Sequence, residues 1–240
     1  MNLLIDADYI VYKCCAACET EIDYGEDVIF VTSNYSDAYK AVTRDISNIQ
    51  NQFGNFAKPI LFFSDSKNFR KKISPDYKGH RNRRKPLGYK RLVNHCRDNY
   101  KFVLREGLEA DDSLGIDGTK FPSTDNIIVS PDKDLRQIPG VLWNLTDDVE
   151  EITKEQGDDW HLIQTLAGDP TDGYSGCPGI GVKKATAIID KKDFKWESVC
   201  QTFRERGLSD DDALLNARLA KILQHKDYNY DTQKPILWNP

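Results

Sequence analysis

Apolar runs that alternate with helical periodicities over the first 155 residues, followed by helices alone, predict an α/β protein. The expected architecture is a mostly parallel, twisted sheet with helices on both faces, then a helical C-terminal region. Continuous apolar runs such as Leu3-Leu4-Ile5 and Leu61-Phe62-Phe63 suit strands buried on both faces. The first strand, 2–5, is closed by Asp6, and 9–17 reads as a helix. Residues 27–32 alternate weakly, as an edge strand does. Ser36 reads as the cap of a helix in which Ala38, Val42, Ile46, Ile49 and Phe53 recur at spacings of three and four. A strand over 59–63 ends at Ser64 and Asp65; after a basic stretch come strands 101–104, 126–129 and 141–143. Helices are expected over 158–167, 182–190, 196–206 and 210–224. The predicted division is 1–155 for the sheet, with the basic stretch at 66–95, and 156–240 for the helices.

At 240 residues, 39% hydrophobic and 30% charged, the composition suits a globular protein. No run approaches the roughly 18 apolar residues of a membrane helix, so no membrane partner is expected. Met1 leads straight into a strand without a basic or small-residue leader pattern, and the six cysteines do not read as a disulfide framework. Cys15 and Cys18 form a CxxC, but no second ligand pair follows, and they read as small helix residues. A reducing, cytoplasmic compartment is expected. The net charge of −5 hides a division, because 66–95 carries eleven Lys or Arg against one acid, Asp76. That segment is about +10 and the remainder about −15, which suits one surface for a polyanion and an acidic site for cations.

Asp6, Asp65 and Asp132 each follow an apolar strand, and ligands of open α/β sheets bind beyond the carboxyl ends of strands. Glu109, Asp111 and Asp112 at a helix start, Asp134 beside Asp132, and Asp169 with Asp172 extend the group. Crowded carboxylates repel unless cations neutralise them, and oxygen donors favour Mg²⁺ or Mn²⁺. Two such ions can activate water, clamp a phosphate and stabilise its leaving oxygen. No Ser or Cys nucleophile with a partner His stands out. Each acid alone also reads as a turn or cap residue, and Asp8, Asp117 and Asp125 are left to that role. The joint pattern carries the metal expectation.

The basic stretch sets Arg70, Lys78, Arg81, Arg83 and Arg84 around Tyr77, cations for phosphates and an aromatic to stack on a base. Lys78 and Arg81 would share a face of a helix, although a solvated loop is the alternative. Gly179-Ile180-Gly181 followed by Lys183 and Lys184 is a tight turn opening a helix, the pattern of a helix-hairpin-helix that grips a DNA backbone through N–H groups. A plain glycine cap between packed helices would use similar residues.

The chain resembles the flap-endonuclease/5′→3′ exonuclease superfamily, with a PIN-like nuclease domain, and within it the exonucleases of short-tailed phages of the T-seven type. The resembling residues include Phe63-Ser64-Asp65-Ser66, Phe69-Arg70-Lys71, Asp76-Tyr77-Lys78, Pro86-Leu87-Gly88-Tyr89, Asp132-Lys133-Asp134, Asp159-Trp160-His161-Leu162, the 168–176 segment and Leu237-Trp238. The resemblance implies a two-metal site of Asp6, Asp65, Glu109, Asp111, Asp112, Asp132, Asp134, Asp169 and Asp172. It also implies a helical arch bearing Tyr77, Lys78 and Arg81, with Mg²⁺ as the ion, Mn²⁺ substituting, and K⁺ at the helix-hairpin-helix. Many relatives have Asn where this chain has Gly173. The expected activity is 5′→3′ digestion of duplex DNA to 5′-phosphorylated products. Removal of RNA from RNA–DNA hybrids, phage DNA degradation, primer removal, recombination and contacts with phage replication proteins are further implications. The rivals are a structure-specific flap endonuclease, a DNA-binding module without catalysis, and a PIN-type ribonuclease.

Overall fold

Alternation at period two decides which layer each strand residue joins. Leu3, Ile5, Leu61, Phe63, Ile127 and Val129 pack into one core, while Leu4, Ile60, Phe62, Ile128 and Leu142 pack into another on the opposite face. The computed structural model describes residues 1–81, 84–120, 125–146, 149–191 and 193–240; Arg83, expected to bind DNA, lies outside the described residues.

The chain runs β1 (Asn2–Asp6), α1 (Ala7–Ala17), β2 (Glu19–Asp23), β3 (Ile29–Ser33), α2 (Tyr35–Gln52), β4 (Lys58–Phe63), α3 (Arg70–Ile73), α4 (Tyr89–Asn99), β5 (Lys101–Leu104) and α5 (Ala110–Gly118). It continues through β6 (Asn126–Val129), β7 (Gly140–Trp143), β8 (Val149–Ile152), α6 (Lys154–Ala167), α7 (Val182–Ile189), α8 (Lys195–Arg204) and α9 (Asp210–Ala220), and then the short β9 (Tyr228–Asn229) and β10 (Lys234–Pro235). The main sheet has the order β5-β4-β1-β6-β7-β8, parallel except for β8. Helices α1, α2 and α4 fill one face with Ile10, Val11, Val42, Ile46, Leu92 and Cys96, and α5 covers the other with Ala110 and Leu114. The mostly parallel sheet with helices on both faces is as expected.

Several details differ from the sequence expectation. Residues 27–32 do not edge the main sheet; β3 pairs with β2 as a separate hairpin, while the antiparallel β8 forms the edge. Asn34, not Ser36, caps α2, its Oδ1 accepting the Ser36 N–H at 3.0 Å. Helix α6 starts earlier, because Thr153 and Gln156 form a reciprocal capping box. Helix α9 ends at Ala220, where Lys221 turns extended. Among the described residues of the basic stretch, helix is confined to the four residues of α3 and to α4 from Tyr89, and the residues from 75 to 80, which carry Tyr77 and Lys78, form turns instead of the expected helical arch.

Beyond the sheet, α6 to α9 close around Leu162, Leu166, Ile180, Ile189, Val199 and Phe203. The chain end returns to this cluster, with the Trp238 ring 5.1 Å from His161 and 4.8 Å from Trp196.

Candidate active site

Between β1 and β6 the strand order reverses direction, so the loops leaving their carboxyl ends diverge and open a crevice. A cavity of about 590 Å³ lies there, lined by Asp6, Asp8, Glu109, Asp111, Asp132, Asp134, Asp169 and Asp172 and faced by Lys78, Arg81, Lys85 and Lys133. Each acid arrives by a local rule. Asp6 ends β1 and caps α1, accepting the Tyr9 N–H at 3.2 Å. Glu109 and Asp111 stand at the N-terminus of α5, where the helix dipole favours negative charge. Asp132 caps the 3-10 turn Lys133–Gln137, accepting the Asp134 N–H at 2.8 Å. Ser130 ties the two strand ends together, its Oγ donating to Asp6 Oδ2 at 2.9 Å.

The loop after α6 brings the last pair. Asp169 Oδ1 accepts the Thr171 N–H at 2.7 Å, forming a tight turn, and the Asp169 N–H donates to the Tyr174 carbonyl. Gly173 has φ +83°, and a Cβ there would stand 2.7 Å from the Asp76 carbonyl oxygen. Its lack of a side chain is therefore what lets the turn bearing Lys78 dock, fastened by the Lys78 N–H donating to the Asp172 carbonyl at 2.7 Å.

The cations of that turn meet the carboxylates directly. Lys78 Nζ lies 2.5 Å from Glu109 Oε1 and 3.4 Å from Asp172 Oδ2, and Arg81 Nη2 lies 2.6 Å from Asp172 Oδ1. Lys78 and Arg81 thus share a face through a turn rather than a helix. Burial, the Asp8 charge and Asp132 push the Asp6 carboxyl up to about 6. Burial, followed by Asp132, does the same to Asp134, also to about 6. Asp111 is held well above the usual carboxylate range by burial and by Asp6 and Asp132, and burial raises Asp172 despite Lys78. Burial would raise Glu109 too, but Lys78 and Arg70 bring it below its ordinary value. The cleft therefore carries more negative charge than its cations compensate. Among the described residues no three acid, His or Cys side chains already stand where they could hold an ion. In chemistry the donor set fits a hard divalent cation: all oxygen, crowded and under-neutralised.

Four expectations are corrected. Asp112 is fully buried, and its carboxylate is held bidentately by Arg70 at 2.7 and 2.8 Å, so it is a structural partner rather than a cleft acid. Arg70 correspondingly faces inward, also donating to the Leu219 and Lys221 carbonyls. Tyr77 is buried, its hydroxyl placed 2.9 Å from Glu109 and 3.0 Å from Asp172, and it presents no face to a base. Asp65 is not brought to the cleft. One step along the chain from Ser64, it accepts the Gly107 N–H at 2.8 Å, which lowers its carboxyl below the usual range.

Asp8, which the sequence alone leaves to a capping role, instead lines the cleft, accepting the Ser64 N–H at 2.8 Å and the Tyr89 hydroxyl. The Asp6-x-Asp8 spacing at a strand–helix junction is the signal that marks it. Arg84 is fastened to Glu19 on β2 at 2.7 Å. In the glycine turn Gly181 caps α7, Gly179 has φ +73°, and Lys183 and Lys184 are exposed, Lys184 Nζ donating back to the Gly179 carbonyl at 3.0 Å.

Residues 1–159 match the family model of the 5′-3′ exonuclease N-terminal resolvase-like domain. An exodeoxyribonuclease of Enterobacteria phage T3 is 27% identical over 99% of this chain and 92% of its own length. An exonuclease of Escherichia phage T7 is 26% identical over 99% of this chain and 93% of its own. Among solved structures, the bacteriophage T5 D15 flap endonuclease in a complex with DNA and metal ions superposes with a TM-score of 0.66 at 15% identity, over 92% of this chain and 89% of that one. That likeness bears on the fold, which is the PIN-like fold of flap nucleases.

Proposed function

The chain belongs to the 5′-3′ exonuclease family through its N-terminal resolvase-like domain, and from that premise we propose a metal-dependent 5′→3′ exodeoxyribonuclease acting on duplex DNA. The observation that carries this is the crevice at the strand-order reversal, where eight carboxylates face the cations of the basic stretch. The exodeoxyribonuclease relative of phage T3, and the T5 neighbour studied with DNA and metal ions, support DNA as substrate and a metal ion as cofactor.

Asp6, Asp8, Glu109, Asp111, Asp132, Asp134, Asp169 and Asp172 would hold Mg²⁺, with Mn²⁺ substituting. Divalent cations there supply charge neutralisation and the activation of water for attack on phosphorus. The remaining work belongs to the chain. Lys78 and Arg81 pass from Asp172 to the scissile phosphate and stabilise charge growing on its oxygens. The Gly179–Gly181 turn with Lys183 and Lys184 holds the duplex backbone without reading sequence, and K⁺ would be the ion to support it there. The parts fall to 1–155 as the nuclease domain and 156–240 as the helical DNA-gripping region. Cleavage leaves 5′-phosphorylated products, and RNA in RNA–DNA hybrids is a second substrate. Phage DNA degradation, primer removal and recombination in the host cytoplasm, alongside replication proteins, form the setting. Among the described residues no helix is long and apolar enough to cross a membrane.

The flap-endonuclease alternative draws on the T5 likeness and on a Shewanella pealeana flap endonuclease that is 33% identical over 54% of this chain. Digestion of 5′- and 3′-labelled blunt duplex and of a 5′-flap substrate, with Mg²⁺ or EDTA, separates the two. Faster release from the blunt 5′ end is expected, with loss in EDTA and in Asp132→Ala. Full activity of that variant, or activity in EDTA, would end the metal mechanism; cutting of the flap alone would favour the alternative.

A further inference from the structure

The 3-10 turn that carries Asp134 is gripped from the helical side of the molecule. Helix α6 comes so close that a Cβ on Gly157 would stand 2.5 Å from the Gln137 carbonyl oxygen. Across this seam lie two buried glutamines, Gln137 at 0% and Gln164 at 5% exposure. Their amides connect in one direction. The Ile222 N–H donates to Gln137 Oε1 at 3.0 Å, which leaves Gln137 Nε2 to donate to the Ala220 carbonyl and to Gln164 Oε1, both at 2.7 Å. Gln164 is thereby turned with its own Nε2 towards the cleft, where it donates to Asp134 Oδ1 at 2.6 Å.

We propose that Gln164 is a positioning residue for the metal site, an amide whose polarity is fixed from the chain after α9 and which holds the Asp134 carboxylate towards the cleft. The inference rests on the assignment of Asp134 to that site. Asp134 stands at the start of a short turn, beside Asp132 and near Asp169 and Asp172, all of like charge. Without a donor behind it, its side chain would rotate away from them. Among the described residues both its polar side-chain partners, Gln164 and Lys133 at 3.5 Å, engage Oδ1, so Oδ2 is the oxygen left to the cleft. Of the two, Gln164 is the buried one and Lys133 is largely exposed. A neutral donor suits this place, because it restrains a carboxylate without competing for it as a cation would. It also makes helix α6 itself, and not only the loop after it that carries Asp169 and Asp172, a working part of the site.

The test is direct Mn²⁺ binding, read by electron paramagnetic resonance and calorimetry without DNA, with melting temperature in EDTA as control. Gln164→Met preserves volume and removes the donor; Gln164→Asn retains a buried amide but cannot reach Asp134, and serves if the first variant folds poorly. Each should weaken Mn²⁺ binding by roughly 10-fold or more, the scale expected for partners of metal ligands. Adding Gln164→Met to Asp134→Ala should weaken it no further. Unchanged Mn²⁺ affinity in both Gln164 variants, or additive losses in the double variant, overturns the positioning role while leaving the site intact. Unchanged Mn²⁺ affinity in Asp134→Ala instead overturns the site assignment, and the positioning role with it.

Discussion

Lys78 and Asp112 show how little a residue's charge says about its work until its partners are known. The Lys78 backbone sits at φ +52°, a left-handed conformation that costs a non-glycine residue energy. It is held there by the hydrogen bond to the Asp172 carbonyl, and the ammonium is thereby delivered between Glu109 and Asp172. Lys78→Met should retain the hydrophobic stem and lose the charge. Turnover is expected to fall about 10²-fold or more, the scale for removing one donor to developing charge, and the melting temperature in EDTA should fall as well, because Glu109 loses a largely buried partner. Single-turnover cleavage at saturating enzyme measures this, and an unaltered rate would remove Lys78 from the chemistry. Asp112 faces the other way, its charge spent on Arg70 inside the protein. Breaking a buried pair leaves an uncompensated charge, so Asp112→Ala should cost about 3–5 kcal/mol in urea denaturation. Its folded fraction should bind Mn²⁺ as the parent does; weakened binding at full stability would return Asp112 to the metal site.

At the scale of elements, the turn that carries Lys78 and the loop that carries Asp169 and Asp172 behave as one unit because Gly173 lets their backbones touch. Gly173→Asn tests this. Asparagine tolerates the left-handed conformation better than most residues, so the penalty falls on the contact of its Cβ with the Asp76 carbonyl, 2.7 Å away. A loss of about 1–3 kcal/mol is expected, as for overpacking, together with slower cleavage as Lys78 and Arg81 move off Asp172. Undiminished stability and rate would show that the two elements are not coupled through this contact. The sheet around them was legible in the sequence because β1, β4 and β6 are buried on both faces and read as unbroken apolar runs. Helix α4 was not, since its stripe of Tyr89, Leu92, Val93 and Cys96 is short and sits in a segment whose basic residues, Lys90, Arg91 and Arg97 among them, dominate the pattern. The hairpin strand β2 is mostly exposed and has no inward face to betray it. Asp6 and Asp132 line the cleft as their strand-end positions suggest, with Asp134 beside Asp132, whereas Asp65, marked by the same signal, does not. Arg70, Tyr77 and Asp112 were misassigned for a different reason: a charged or aromatic residue in a basic segment looks solvent-facing unless the buried partner that captures it is known. Those partners lie up to 151 residues away, as with Arg70 and Lys221.

For the whole molecule, the −5 net charge is a sum of a basic segment of about +10 and an acidic remainder of about −15, and part of that acid is buried where water cannot screen it. Metal, proton and fold are therefore linked. The Asp6 and Asp134 carboxyls are raised from 3.8 to about 6, so the folded state binds protons there that the unfolded chain has released. Their stabilising contribution is full below about pH 4 and is lost as pH rises through about 6. Glu109 and Asp65, held low, lose theirs only as pH falls through values below their ordinary ones, outside this window. His161 opposes the trend. Burial, with Lys221 nearby, lowers it from 6.5 to about 3, so its neutral form favours the fold increasingly as pH rises towards 6.5. Stability against pH alone is thus a difference of opposing slopes. The effect of Mg²⁺ is cleaner, because His161 lies outside the cleft and cancels when melting is compared with and without the ion. The ion binds ionised carboxylates, so at pH 5 it must displace protons from Asp6 and Asp134, whereas at pH 7.5 it meets bare charge. The rise in melting temperature on adding Mg²⁺ to EDTA-treated protein should therefore be several-fold larger at pH 7.5 than at pH 5. Asp134→Asn, which removes one of the two charges, should shrink that difference. Equal shifts at the two pH values, measured by calorimetry at matched ionic strength, would mean that the cation binds elsewhere than at these buried carboxylates.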